Sequence, residues 1–469
     1  MELDTLPILT RPYGPAAQDA PDNAPSIANS PDLYSLIPYT EDFQARAESR
    51  ICFNPVESAS RVTWIDVDAG EQVTTRTLSS LAELRGCRNL HVPQENGLRI
   101  LSVNQPNSWK PLNITGDMFR EIVDIAGASS DLLELPLSFF KKTIALEEGF
   151  SSGPVVRHNA DSIEIIYIMK YAFEKSAQEK EKDPWVLRQT GVYQKYELAT
   201  KNSTWVLLHP TANCRFQSRL ESFLQSPSQR DCLHGNPLLV HNILFGSFIS
   251  AWRDYIKHLE GRMLPIANTT VAAEINKALR VNHESLTAIR GIENRCLVLQ
   301  PIFRSLEKSF DVLHQANATL SDSGVTEQQE LQAMKQLLNN YSAAINSYGQ
   351  AAWSLQARAS RIAAHITDTL SFQDAYVAKR QTAFMVRDST TVRVITVVTL
   401  IYLPSTFMAT LLGMNGFFEM GDNHNVVVSP QFWIYIVCSV PLTAATLCYW
   451  WYFQKAKQRR ERSAEALMV

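Results

Sequence analysis

Residues 394–415 read VITVVTLIYLPSTFMATLLGMN, and the first nineteen of them carry no charge. As a helix rising about 1.5 Å per residue, those nineteen reach roughly 28 Å, close to the hydrocarbon thickness of a bilayer. A second uncharged run extends from Phe432 to Phe453. Phe432, Trp433 and Tyr435 sit at one end of it and Tyr449, Trp450, Trp451 and Tyr452 at the other, where an interfacial aromatic belt belongs. Length, absent charge and aromatic ends predict two transmembrane helices rather than two buried core helices.

Flanking charge predicts their orientation. Arg380, Arg387 and Arg393 precede the first run, and Lys455, Lys457, Arg459, Arg460 and Arg462 follow the second. The connecting segment 413–431, GMNGFFEMGDNHNVVVSPQ, holds neither Lys nor Arg. Positive charge stays on the cytosolic side, so both termini are expected there and the loop outside. The N-terminal residues MELDTLPILTRPYGPAAQDAP have neither the layout of a secretory signal nor that of a transit peptide, which agrees with a large cytosolic part. The expected localisation is therefore an integral membrane protein with two spans.

Upstream of the spans, from about Ser323 to Leu412, Ala, Gln, Leu and Arg dominate and helix breakers are nearly absent. This predicts a single stalk helix on the order of 100 Å long or more. Trp353, Ile362, Ile366, Leu370 and Val377 are its expected packing face. Helical spacing begins near Arg215 and is plain in PLLVHNILFGSFISAWRDYIKHLEGRML, residues 237–264. Before that come β-rich runs: RVTWIDV (61–67), LRILSVNQ (98–105), SIEIIYIMKYAF (162–173), TGVYQKYELA (190–199) and STWVLLHP (203–210). Residues 1–60 mix Pro, Asp, Ser and Ala without periodicity and are expected to be a disordered tail.

The expected fold class is an α+β cytosolic domain, a mixed sheet plus helices, followed by the stalk helix and two transmembrane helices. Its segments are the tail 1–60, an α/β domain 61–235, a helical domain and stalk 236–391, a two-helix membrane domain 392–453 with outer loop 413–431, and a basic tail 454–469.

Composition removes several function classes. Lys and Arg number 44 against 47 Asp and Glu, a net charge of −3 that argues against a nucleic-acid partner. Seven scattered cysteines without a CxxC pair argue against a disulfide framework or a zinc site. The chain has no P-loop, GxSxG, HExxH or GxGxxG, so neither an enzyme nor a resident cofactor is expected.

The first span ends in Gly413-Met414-Asn415. That tripeptide closes a long helix, with YLPSTFMATLL before it and a short acidic loop, a second apolar helix and a basic tail after it. In this the chain resembles the CorA family of magnesium transporters. The resemblance covers about Leu90 to Arg462 and is strongest from Val392 onward. It implies a funnel-shaped homopentamer in which the first helix of each copy lines the axis and Gly413, Met414 and Asn415 form the selectivity filter. The implied partners are the lipid bilayer, further copies of the chain and divalent cations; Mg²⁺ or another divalent ion is cargo. Where the family often has an aromatic residue before the motif and a Gly in the helix, this chain has Leu412 and Thr410.

Mg²⁺ gives up its water reluctantly, so a ring of neutral amides that hydrogen-bond its hydration shell recognises it without stripping it. Asn415 is the expected metal-recognising residue, acting through that shell. Below it, helical spacing places Thr410, Thr406, Leu403, Thr399 and Ile395 toward the axis. The threonines either bind water around the ion or hydrogen-bond the carbonyls of their own helix. Glu419 and Asp422 are either a cation-concentrating outer mouth or an ordinary solvated loop. Asp368, Asp374 and Asp388 are the stalk's candidates for a regulatory metal site and match no motif of one. The remaining alternatives are a relative that moves Zn²⁺ or Co²⁺, and a membrane-anchored interaction or regulatory protein that transports nothing.

Overall fold

The computed structural model of the chain describes residues 34–68, 72–90, 95–175, 183–271, 281–413, 418–420, 426–428, 430 and 432–465. The chain divides into two units, one of Met1–Ala273 with His283–Ala363, the other of Glu274–Asn282 with Ala364–Val469.

The first unit is built on a sheet of seven strands: β1 (Val62–Val67), β2 (Val73–Leu78), β3 (Leu98–Asn104), β4 (Val155–His158), β5 (Ser162–Glu174), β6 (Trp185–Glu197) and β7 (Ser203–His209). Their order is β2-β1-β3-β7-β6-β5-β4, and β3 with β7 is the parallel pair. The five expected runs are all strands. β2 and β4 are additional, and both are edge strands. VTTRTL is half polar and VVRH has four residues, too little alternation to mark a buried face.

Strand β5, interior to the sheet, is apolar almost without interruption because the sheet is covered on both faces. On one face Ile166, Ile168, Tyr193, Val206 and Leu208 meet α1 (Thr40–Arg50), α2 (Leu81–Leu90) and α3 (Gly116–Ala126) through Phe43, Leu84, Phe119 and Ile122. On the other face, Tyr171 stacks on Phe248 of α6 (Leu239–Phe248) with ring centres 3.7 Å apart. Phe245 of α6 meets Phe310 of α8 (His283–Asp322) edge-on at 5.1 Å. Each such side chain, fully buried, contributes roughly 1.5–3 kcal/mol.

Several polar groups inside this core are paired. The His241 ring lies 2.7 Å from the Tyr167 hydroxyl and 2.9 Å from Gln194 Oε1. Burial holds it neutral, pushing its pKa down to about 3, and likewise pushes His209 down to about 4. Arg99 Nε donates to Asp66 Oδ1 at 2.9 Å, joining β3 to β1, with the guanidinium 4.6 Å over the Trp64 ring.

The expected tail 1–60 is corrected from residue 34 onward; residues 1–33 lie outside the described residues. Ile37, Phe43, Ala47 and Cys52 are buried in the first core. Leu36 N and Ser35 Oγ donate to the buried Asp131 at 2.6 and 2.7 Å. Four apolar positions are too sparse to show a period, and α1 draws its stability from the sheet it covers rather than from propensity.

Helices α4 (Arg215–Gln225), α5 (Pro227–Gly235) and α6 lie in the same unit as the sheet, so residues on both sides of position 235 belong together. α7 (Ala251–Val271) and α8 follow. Helix α9 (Gln328–Gly413) runs unbroken for 86 residues, as the scarcity of helix breakers predicts. Its buried face matches the expected one in part, with Ile366 buried and Ile362 and Leu370 half-buried, and otherwise differs. Ile345, Ala352, Leu355 and Ala359 are at most 4% exposed, whereas Trp353 is 63% and Val377 42% exposed. Small alanines let helices approach closely, a signal that a search for bulky residues passes over.

The second unit takes α9 from Ala364 onward, the short antiparallel strands β8 (Phe418–Met420) and β9 (Val426–Val428), and α10 (Phe432–Glu465).

Candidate functional site

Two segments of the second unit are long and apolar enough to cross a membrane, Val392–Leu411 of α9 and Phe432–Phe453 of α10. Only 6% of either is buried within the chain. Core helices of a water-soluble fold bury such surface, so hydrocarbon or further copies must cover these, and the protein is an integral membrane protein with two spans. At the end of α10, Lys455 Nζ sits 4.6 Å over the Trp451 ring, an aromatic-cation pairing suited to a membrane interface.

The helices meet along a stripe of small and hydroxylated residues. Pro404 is buried on α9, facing a strip of α10 that includes the buried Ser439 and the half-buried Tyr435, Thr443 and Thr446. Tyr435 Oη donates to the Ser405 carbonyl at 3.3 Å. Small residues at such a seam permit close backbone approach, and Tyr435 adds an interhelical hydrogen bond. Sequence reading assigned Tyr435 to the aromatic belt and missed this contact. Its signal is the spacing Tyr435, Ser439, Thr443, Thr446, one helical face.

Ile395, Thr399, Leu403, Thr406 and Thr410 share an arc of about 80° on α9, and all five are exposed, Ile395 at 58% and Leu403 at 70%. The threonine hydroxyls donate to carbonyls of their own helix within this chain. Thr410 Oγ1 donates to the Thr406 carbonyl at 2.7 Å, Thr406 Oγ1 to Tyr402 at 2.7 Å, and Thr399 Oγ1 to Thr396 at 2.9 Å. Thr406 thus does not serve Leu400, whose carbonyl loses its helix partner at Pro404. Leu403, Thr406 and Thr410 also flank a groove shared with Leu442 and Thr446 of α10.

Gly413 is the last residue of α9. Met414, Asn415 and Asp422 lie outside the described residues, and Glu419 stands in β8 opposite Val427. Among the described residues no group of three or more His, Cys, Asp or Glu is arranged to hold a metal. Asp368 and Asp374 are exposed.

Residues 153–271, from the approach to β4 through α7, match the family model of CorA-like transporters. That match covers 119 of the chain's 469 residues. Among solved structures, the chain is similar to the full-length CmaX protein, at 12% identity and a TM-score of 0.35 over 86% of this chain and 100% of that one. It is similar to the CorA magnesium transporter from Methanocaldococcus jannaschii, at 14% identity and a TM-score of 0.31 over 83% and 96%. It is also similar to the ZntB cytoplasmic domain from Vibrio parahaemolyticus RIMD 2210633, at 9% identity and a TM-score of 0.40 over 67% and 99%. No curated protein sequence matches the chain.

Proposed function

We propose that this CorA-like chain is one subunit of a homopentameric channel that admits hydrated divalent cations, Mg²⁺ foremost, into the cytosol. The observation that carries the reading is the ending of α9. An apolar span unburied within its own chain runs to Gly413, so Met414 and Asn415 follow directly at its outer end. One Asn makes no ring, and the exposed apolar face of α9 is the surface that copies arranged about an axis would cover.

In this reading Asn415 amides hydrogen-bond the first hydration shell. Leu403 and Ile395 close the path by dewetting, and Glu419 and Asp422 concentrate cations at the mouth. Entry is passive, driven by about 2.3 kcal/mol per charge per 100 mV of membrane potential, with gating by movement of the long helices. Both termini face the cytosol.

Purified protein in liposomes should pass Mg²⁺ inward down an imposed gradient, and Asn415→Ala should lower the flux at least about ten-fold, the loss of a filter contact worth some 1.4 kcal/mol. An intact oligomer without flux would establish the non-transporting alternative instead. Competition among Mg²⁺, Co²⁺ and Zn²⁺ in that assay identifies the cargo.

A further inference from the structure

We propose that the two spans seat an anionic phospholipid of the bilayer, with one acyl chain in the groove between them and the headgroup phosphate at positions 393 and 457. The groove has a volume of about 450 Å³ and is lined by Thr396 and Leu400 of α9 and by Ala445, Tyr449, Trp450 and Phe453 of α10. Small-molecule sites fall in the same range of volume.

The lining suits hydrocarbon. Thr396 Oγ1 donates to the Val392 carbonyl at 2.8 Å, and Thr446 Oγ1, also at the groove, donates to the Thr443 carbonyl at 2.9 Å. Both hydroxyl hydrogens are thus spent on their own helices. Tyr449, Trp450 and Phe453 add ring surfaces against which methylenes pack. Thr396 and Leu400 stand outside the arc of α9 that carries Ile395, Thr399, Leu403, Thr406 and Thr410, so an acyl chain here leaves the face of the proposed pore clear.

Charge at one end of the groove selects the occupant. Helical spacing sets Arg393 about one turn before Thr396 and Lys457 about one turn past Phe453, each on the face of its helix that lines the groove. Residues 387–393 and 455–462 together hold seven Lys and Arg against two Asp and Glu. A further copy laid alongside would bring the same excess of cations to the same depth and be repelled, whereas a phosphate offsets it. A neutral lipid would fill the groove and leave the charge unmatched. Lys455 serves another side of α10, where its Nζ lies 4.6 Å over the Trp451 ring. Lipid retention needs no ion flux, so this proposal and the channel reading fail separately.

The test is native mass spectrometry of the full-length protein from a neutral detergent, titrated with phosphatidylglycerol or phosphatidylcholine. Phosphatidylglycerol should be retained saturably, a single molecule per chain, about five-fold or more tightly than phosphatidylcholine. Arg393→Gln and Lys457→Gln should each weaken it about three- to five-fold, while Lys455→Gln and Arg462→Gln, on the other side of α10, should change it less than about two-fold. Ala445→Phe fills the groove with every charge in place and should weaken it at least about five-fold. Soluble glycerol phosphate, a headgroup without acyl chains, should not displace it. The proposal is overturned by equal retention of the two lipids, by displacement with glycerol phosphate, by retention unchanged in Ala445→Phe, or by losses in the Lys455 and Arg462 variants as large as those at positions 393 and 457.

Discussion

The two units bear the same kinds of side chain and treat them in opposite ways. In the sheet unit Trp205 and Phe245 are at most 1% exposed, whereas on the spans Phe407, Leu403 and Trp451 are 59%, 70% and 60% exposed. Burial within the chain stabilises the first set by removing it from water; the second set is stable where its surroundings are already apolar. The lesson is that hydrophobicity indicates what a residue needs, and only the arrangement of neighbours tells whether the chain itself or the membrane and further copies supply it.

The contrast is sharpest at single aromatic residues. Phe245→Ala should cost about 3–5 kcal/mol in denaturant unfolding of the purified protein, while Phe407→Ala in micelles should cost under about 1 kcal/mol. Equal costs would break the distinction between the units. Inside the sheet unit, Asp66→Ala leaves Arg99 buried without its carboxylate and should cost about 3–5 kcal/mol. The exposed pair Arg120–Asp117, at 2.9 Å, should lose no more than about 1 kcal/mol on Asp117→Ala. Comparable losses would show that burial does not govern these pairs.

Acid should weaken the sheet unit selectively. Folded His241 and His209 have pKa values of about 3 and 4, below the unfolded imidazole, so the unfolded chain binds more protons between those values and roughly pH 6.5. Stability is therefore complete above about 6.5 and falls as pH drops, by about 3 kcal/mol between pH 7 and 5 from the two rings together. Unfolding curves measured across that range should show the fall, and His241→Gln should remove about half of it. A flat profile would mean that the rings are not held neutral.

The smallest expected effect is on the spans. Thr406→Val and Thr410→Val delete hydroxyls already engaged with their own helix and should change stability by under about 1 kcal/mol. Mg²⁺ flux in liposomes should then stay within about two-fold of the unsubstituted protein. A larger drop in flux would assign these hydroxyls to the ion's hydration water instead.

How legible each region was follows from how local its signal is. Strand β5 and helix α9 announce themselves in one uninterrupted stretch each, because an unbroken apolar run or a long absence of breakers needs no partner to be recognised. Edge strands β2 and β4 and helix α1 do not, since half-polar or sparse apolar residues become ordered only against a sheet assembled from segments up to about a hundred residues away in the chain. The tripeptide 413–415 was read from its sequence and its position after the span, and helix α9 ends at the first of its three residues, Gly413. The seam through Tyr435 and Pro404 escaped notice because it depends on two helices meeting.

By itself the sequence determined the two membrane spans, the expected sidedness of the loop and the long helix, since insertion energy and helix propensity accumulate over consecutive residues. Only the tertiary structure decided which aromatics are buried and that His241 is neutral between Tyr167 and Gln194. Burial, dielectric and hydrogen-bond partners belong to contacts between distant segments, and those do not exist until the chain has folded.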